Sequence, residues 1–127
     1  MSQMIETEFS TPIDLVVDDA SHFYEETKAA FETVFPYVRP GGIYVIEDWS
    51  WAHDAPAQQA GHYWADKLAL TNLLFQLIML QSVPGIIDYI GLRPGLAWFR
   101  KGSSALPKGT FRIDEHALSR GRKLNLI

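Results

Sequence analysis

The spacing of apolar positions near the start of the chain changes once, from the period of a strand to that of a helix. Residues 13–17 form a short apolar run rich in β-branched side chains and followed by Asp18 and Asp19, which is typical of a buried strand. From Phe23 onward apolar residues recur at helical spacing, and Pro36 ends this pattern. The pattern therefore predicts a strand followed by an amphipathic helix.

A second apolar run follows a proline- and glycine-containing segment. Residues 39–42 read Arg-Pro-Gly-Gly and predict a turn, and residues 43–46 predict another buried strand that ends at Glu47 and Asp48. Strand, helix and strand together form a βαβ unit, whose two strands run parallel. Because both strands are apolar on both faces, we expect a parallel sheet that is covered on both sides.

A long loop and an apolar helix are predicted next. Residues 49–64 are rich in Trp, His, Ala and Gln, and loops of this length are uncommon unless they close over or bind a ligand. Within this loop His53, Asp54 and His62 form a weak candidate for a second metal site. Residues 64–81 predict a helix whose apolar part indicates burial in the core or at an oligomer interface.

The remaining segments predict a hairpin and a polar tail. Residues 86–91 and 96–100 have the pattern of strands, and the short link between them predicts an antiparallel hairpin. Residues 102–127 are polar and basic, with one short strand predicted over residues 110–113. The fold class is therefore α/β, with parallel strands and a C-terminal antiparallel pair between a leader (residues 1–12) and this tail.

Composition and charge exclude several classes of protein. Hydrophobic residues make up 47% of the 127 positions, which excludes wholesale disorder. Cysteine is absent, which removes disulfides, thiol catalysis and Cys-ligated zinc and fits a cytoplasmic protein. Residues 1–9 lack the features of a secretory signal, and the apolar stretch over residues 68–80 is too short for a membrane span. The net charge of −4 predicts neither a nucleic-acid nor a membrane partner.

Acidic side chains follow both predicted parallel strands at the point where each strand ends. Asp18, Asp19 and His22 follow the first strand, and Glu47 and Asp48 follow the second. The carboxyl ends of parallel strands meet at one edge of a sheet, where ligands bind in open α/β folds. Carboxylates so close together repel one another, and Mg²⁺ or a similar divalent cation is the simplest neutraliser. His22 would then serve in proton transfer.

Structural explanations also exist for each of these residues. Asp19 or Ser21 could cap the following helix, and His22 could be a residue at the helix start without chemistry. Glu47 and Asp48 could form an ordinary turn. The combination of the two segments at neighbouring strand ends favours chemistry over these separate explanations.

Residues 13–48 resemble class I S-adenosylmethionine-dependent methyltransferases. They are most similar to the metal-dependent macrolide-sugar O-methyltransferases and their cephalosporin hydroxylase-like relatives. The Pro-Gly-Gly before the second strand is common to the whole class, whereas Asp-Asp-x-Ser-His after one strand and Glu-Asp after the next are more specific. The resemblance implies a Rossmann-like sheet, of which residues 13–101 would form strands four to seven, the C-terminal half of the domain.

The resemblance also implies roles for individual residues. Asp19 and Asp48 match the metal-binding carboxylates of the family, and Glu47 is a possible further ligand. His22 matches the proposed general base that deprotonates a sugar hydroxyl, and Asp18 lies at the strand end nearest the cofactor's methyl group. The implied cofactors are S-adenosylmethionine and Mg²⁺ or a similar cation, and the implied substrate is a small molecule with a hydroxyl acceptor.

The sequence departs from the family in a minor respect at Ala20, where the family often has glycine, and in one major respect. It contains no glycine-rich strand-turn-helix and no acidic residue about twenty positions later to hold a ribose. Three interpretations remain: the catalytic half of a metal-dependent O-methyltransferase, a non-catalytic methyltransferase-like module that acts through assembly, and, more weakly, a metal-dependent hydrolase. The first predicted strand would expose an apolar edge, so we expect a homo- or hetero-oligomer.

Overall fold

A computed structural model of the chain describes residues 11–127, so most of the predicted leader lies outside the described residues. Two helices and four strands are joined by short 3₁₀ helices and turns. The strands and helices are β1 (Ile13–Asp18), α1 (Tyr24–Val34), β2 (Val38–Glu47), α2 (Thr71–Gln81), β3 (Ile87–Arg93) and β4 (Leu96–Lys101). The 3₁₀ helices are Phe35–Tyr37, Trp51–His53, Ala55–Gln58 and Ile113–Glu115.

The four strands form one mixed sheet in the order β1-β2-β4-β3. β1 and β2 are parallel and are connected by α1, while β4 is antiparallel to both β2 and β3. The predicted α/β fold with a parallel pair and a C-terminal antiparallel hairpin is therefore confirmed. Within residues 11–127, β1 pairs on one side only, with β2.

Both helices pack on the same face of this sheet. The glutamates at positions 25 and 26 lie in the first turn of α1, where the helix dipole favours negative charge. The apolar sides of α1 and α2 meet the inward side chains of β2 and β4 in one continuous core. Its largest fully buried members include Phe31, Phe35, Tyr44, Leu73, Leu77 and Phe99. Neither helix in the described part of the chain has the length and apolar character needed to cross a membrane.

The opposite face of the sheet has no such cover within the described residues. Leu15 is 58% exposed and Val17 is 54% exposed, and the register places them beside Ile43 and Val45 of β2. The prediction of a sheet covered on both sides is thus wrong for this part of the chain. Both α1 and α2 lie on the other side of the sheet, so these apolar residues face outward.

The helix predicted from residue 64 begins later, at Thr71. Helical spacing of apolar residues is present before that point, but the backbone N–H of Ala69 donates to the carbonyl of Ile127, 3.0 Å away. Lys67 donates to the carbonyl of Trp64, which forms a tight turn in place of an α-helical bond. These long- and short-range bonds divert the chain, and residues 64–70 form turns.

The turn predicted over residues 39–42 is instead part of a longer strand. β2 begins at Val38, and its register with β1 shifts between Ile13 and Leu15, so extra residues of β2 bulge from the ladder. Gly41 has φ +83°, a conformation that favours glycine. A Cβ atom on Gly42 would approach the Asp14 carbonyl to 3.0 Å. The two glycines therefore allow an irregular strand to pack closely on β1.

The polar segment after β4 contributes to the core. The strand predicted over residues 110–113 is absent from the structure. Phe111, Ile113 and Ala117 are buried, and the backbone N–H of Ile113 donates to the Glu32 carboxylate on α1. This bond to a side chain takes the place of a strand partner, and a 3₁₀ turn follows it.

Candidate active site

The parallel pairing of β1 and β2 brings the two acidic segments to one edge of the sheet. Asp18 and Ile46 are register partners, so both strands end at nearly the same level. Asp19 and His22 lie in the segment that leads to α1, and Asp48 follows β2 directly. Sheet register therefore places groups that are far apart in sequence beside one another.

Asp19, His22 and Asp48 form a compact cluster, with one potential ligand atom from each residue within 4.8 Å of the others. The Nε2 atom of His22 lies 3.7 Å from an oxygen of Asp19 and 3.7 Å from an oxygen of Asp48. The imidazole is 25% exposed, while the two carboxylates are 57% and 65% exposed. The cluster thus has a half-buried imidazole at its base and two carboxylates open to solvent.

Two members of the cluster have left-handed backbone conformations. His22 has φ +63° and Asp48 has φ +55°. Such angles are uncommon outside glycine, although Asn, Asp and His adopt them more often than other residues. The backbone N–H of Asp48 donates to the Gly95 carbonyl in the hairpin, 2.7 Å away, which fixes the sharp turn after β2. Residues in this conformation are concentrated at functional sites.

Glu47 shows the repulsion expected among these carboxylates. Its pKa is raised above the usual value for a glutamate, chiefly by the negative charge of Asp19, with smaller contributions from desolvation, a hydrogen bond to Asp19 and the charge of Asp48. The nearby His22 acts in the opposite direction. Glu47 therefore lies close enough to the cluster for a bound cation to relieve this repulsion.

Asp18 faces the core side of the sheet, where Tyr44 holds it. The Tyr44 hydroxyl donates to an oxygen of Asp18 across 3.1 Å, and the backbone N–H of Ala20 donates to the other oxygen across 3.3 Å. Burial, and then the charge of Asp18, raise the pKa of Tyr44 above the usual tyrosine value. The predicted role of Asp18 toward a cofactor is not tested by these contacts and stays a prediction.

The weaker candidate site in the loop after β2 does not form in the described part of the chain. His53 bonds to the Thr71 hydroxyl, and Nδ1 of His62 accepts the backbone N–H of Trp64. Within residues 11–127, the cluster of Asp19, His22 and Asp48 is the single group arranged to hold a metal.

Sequence patterns alone did not identify the contact between Trp51 and His22. The indole N–H of Trp51 donates to the backbone carbonyl of His22 across 2.7 Å. The loop after β2 is thereby tied to the segment after β1, next to the cluster. The one signal in the sequence was the density of aromatic residues in this loop, which is also typical of local packing.

The comparisons with known proteins agree with this architecture. A family described as a methyltransferase domain matches residues 2–49. Demethylmacrocin O-methyltransferase from Streptomyces fradiae is 37% identical over 89 residues, which cover 68% of this chain and 22% of that protein. Mycinamicin VI 2''-O-methyltransferase from Micromonospora griseorubida is 54% identical over 37 residues, or 29% of this chain and 9% of that protein.

A solved structure is similar over a larger share of the chain. The MycE methyltransferase in complex with Mg, SAH and mycinamycin VI has 30% sequence identity and a TM-score of 0.57, and the match covers 80% of this chain and 28% of that one. The fold is that of part of a methyltransferase. The predicted resemblance to macrolide-sugar O-methyltransferases is confirmed, and the chain spans about a fifth of the length of the first curated relative described above.

Proposed function

We propose that this chain forms the metal-binding and proton-abstracting part of an S-adenosylmethionine-dependent O-methyltransferase that acts on a hydroxyl group of a sugar or natural product. The observation that carries this proposal is the cluster of Asp19, His22 and Asp48 at the carboxyl ends of two parallel strands. The relatives support it, since they are O-methyltransferases of demethylmacrocin and of mycinamicin VI.

The residues at the cluster fit a divalent cation. Asp19 and Asp48 offer exposed carboxylate oxygens, which hard cations such as Mg²⁺ prefer, and Glu47 lies beside them. The raised pKa of Glu47 is the mark of uncompensated negative charge, which a cation would neutralise. When bound, the cation would supply Lewis-acid chemistry that lowers the pKa of an acceptor hydroxyl.

His22 is placed to remove the proton from such a hydroxyl. Its Nε2 atom faces the same space as the two carboxylates, 3.7 Å from each, and its ring is partly shielded from solvent. After proton transfer the imidazole would carry positive charge, which Asp19 and Asp48 would stabilise at these distances. His22 is therefore the general base in this proposal.

The described residues do not offer the usual binding elements of the methyl donor. Glycine-rich turns that lead from a strand into a helix hold such cofactors, and the segment between β1 and α1 contains no glycine. The segment between β1 and α1 therefore does not fit the methyl donor by this element.

The metal site is tested by titrating the 127-residue chain with Mn²⁺ and recording the spectrum of free Mn²⁺ by electron paramagnetic resonance. We expect saturable binding that is lost in the Asp19→Asn, Asp48→Asn double variant. Asp66→Asn, which removes an exposed carboxylate outside the cluster, is the matched control. Equal binding by the double variant and the control would reject the proposed metal site.

A second candidate function, a non-catalytic assembly module, is favoured by the exposed apolar residues Leu15 and Val17. Such a surface on a sheet face next to an unpaired strand edge is suited to association with further protein. The two functions differ in their chemistry. The assembly module predicts that the chain binds a protein partner while the cluster variants leave every measurable activity of the assembly unchanged.

A further inference from the structure

A side-chain hydrogen bond ties the loop after β2 to helix α2. Nε2 of His53 and the hydroxyl oxygen of Thr71, the first residue of α2, lie 2.5 Å apart. Thr71 is only 7% exposed, so its hydroxyl depends on a partner within the protein. Because α2 is part of the hydrophobic core, its first turn offers the loop a fixed point of attachment.

The effect of this bond reaches Trp51 through one short turn of backbone. Trp51–His53 is a single 3₁₀ helix, and the backbone N–H of His53 donates to the Ser50 carbonyl across 2.9 Å. The backbone N–H of Asp54 donates to the Trp51 carbonyl across 3.3 Å. Since these bonds close a tight turn, holding His53 in place also holds Trp51.

Trp51 in turn contacts the segment that carries the candidate base. Its indole N–H donates to the backbone carbonyl of His22 across 2.7 Å. Its ring also packs edge-on against Phe23, with the two ring centroids 6.2 Å apart. Two contacts from the same side chain therefore fix the loop after β2 to residues 22 and 23.

The backbone at His22 depends on such contacts from outside its own segment. Its φ of +63° is a left-handed conformation, which persists only where the surrounding structure holds it. The backbone N–H of Phe23 donates to the Ser21 hydroxyl across 3.3 Å, which is a bond within the segment itself. The bond from Trp51 comes from another part of the fold, so it fixes the position of His22 relative to Asp48.

We propose that His53 and Thr71 are positioning residues for His22. Their hydrogen bond holds the 3₁₀ helix against α2, and the Trp51 indole in that helix then holds the His22 carbonyl. The imidazole of His22 is thereby kept facing the carboxylates of the cluster. This inference rests on the proposed function, which makes His22 the base, and it adds two residues that act on His22 through Trp51.

The experiment records NMR spectra of the 127-residue chain, labelled with ¹⁵N and ¹³C, without metal. Solvent exchange of the Trp51 indole N–H reports its bond to His22, and the backbone chemical shifts of His22 report its φ angle. Thr71→Val removes the hydroxyl and keeps the shape of the side chain. We expect the Trp51 N–H to exchange about tenfold faster, as after the loss of one hydrogen bond, and the His22 shifts to move away from left-handed values.

Three controls separate this effect from general loosening of the chain. Thr71→Ser keeps the hydroxyl and should retain both wild-type signals. Thr33→Val removes a hydroxyl that bonds to the Ala29 carbonyl of α1 across 2.8 Å, and it should also leave both signals unchanged. The indole N–H of Trp49 donates to the Arg93 carbonyl in the hairpin, so its exchange should stay the same in every variant.

A merely structural role for the bond predicts a different result. Thr71→Val would then lower the melting temperature, while the Trp51 and His22 signals of the folded protein stayed as in wild type, and that outcome would overturn the proposal. If Thr71→Val fails to fold, His53→Phe tests the same bond from its exposed side, because it keeps a ring and removes both nitrogens. Wild-type signals in His53→Phe, altered signals in Thr71→Ser, or equal changes in Thr33→Val would also reject the proposal.

Failure of this inference is distinguishable from failure of the proposed function, because the NMR measurement needs no metal. If Mn²⁺ binds at Asp19 and Asp48 while Thr71→Val leaves Trp51 and His22 unchanged, the positioning role is rejected and the metal site stands. If Thr71→Val releases Trp51 and His22 but Mn²⁺ does not bind the wild-type chain, the positioning contact is supported and the metal-dependent function is rejected.

Discussion

The Tyr44 hydroxyl donates a hydrogen bond to the Asp18 carboxylate across 3.1 Å. A buried side chain on β2 thus fixes the last residue of β1, the neighbouring parallel strand. The contact joins the hydrophobic core to the edge of the sheet where the acidic cluster lies. Because Tyr44 is almost fully buried, its hydroxyl depends on this acceptor.

Tyr44→Phe removes this hydrogen bond and should destabilise the chain by about 1.5–3 kcal/mol, the range for a bond to a charged acceptor. Urea denaturation measures the change in the free energy of unfolding. Tyr63→Phe, which removes a hydroxyl from a side chain that is 76% exposed, is the control and should cost much less. Similar unfolding midpoints for the two variants would show that the Asp18 contact contributes little.

Through Glu47, the stability of the metal-free chain should depend on pH. The pKa of Glu47 is higher in the folded chain than in the unfolded chain. Between these two pKa values the folded state therefore binds more protons than the unfolded state. Stability should therefore fall as pH rises from about 4.5, the unfolded value, through the raised folded value. Thermal melting against pH should show this slope, and Glu47→Gln should flatten it.

A divalent cation should oppose this loss of stability at higher pH. By neutralising the carboxylates it should raise the melting temperature more at pH 7 than at pH 4.5, and its binding should release protons. Calorimetry in two buffers of different ionisation enthalpy measures this release. A cation effect that is the same at both pH values would contradict binding at these carboxylates.

Asparagine is the informative substitution at His22, because it tolerates the left-handed backbone found there while removing the imidazole. In an active protein that contains this chain, His22→Asn should lower turnover by about 10²–10⁴-fold, the usual contribution of a general base. Its melting temperature and Mn²⁺ affinity should change little. His22→Ala should be less stable than His22→Asn, since alanine is disfavoured at this φ angle.

Near-normal turnover of folded His22→Asn would remove His22 from the mechanism. A marked loss of Mn²⁺ affinity would instead identify the imidazole as a metal ligand.

The exposed sheet face should drive association of the isolated chain. Val17→Lys places a charge on a side chain that is 54% exposed and should reduce self-association, measured by light scattering over a range of concentrations. Ile78→Lys is the comparison, because Ile78 is 46% exposed on α2, on the opposite side of the sheet. A wild-type chain that stays monomeric at high concentration would reject the oligomer prediction.

The sequence was sufficient to predict that Asp19 and Asp48 lie close to each other. Apolar runs marked both strands, the helix between them required a parallel pair, and parallel strands end at a common edge. Those rules involve only local patterns and one topological step. The mixed sheet followed from them as well, because a short link between two strands allows only an antiparallel hairpin.

Features that depend on distant partners could not be predicted in this way. The start of α2 at Thr71 depends on the carbonyl of Ile127, which takes the N–H of Ala69. The alternation of buried and exposed residues along β2 predicts that Tyr44 is buried. It does not identify Asp18 as the acceptor of the Tyr44 hydroxyl. The edge-to-face contact between Trp51 and Trp64 could not be predicted, because it depends on how the whole loop after β2 folds back on His22.

The register of β1 with β2 also determines which insertions and deletions preserve the cluster of Asp19, His22 and Asp48. Asp18 and Ile46 are partners in the ladder, so the separation of Asp19 and Asp48 depends on the number of residues in each strand. One inserted residue would advance Asp48 by about 3.3 Å and exchange the inward and outward faces of the strand beyond it. Insertions and deletions in these strands should therefore be far more damaging than most substitutions, and a mutagenesis library for this protein should keep the length of the segment from β1 to Asp48 constant.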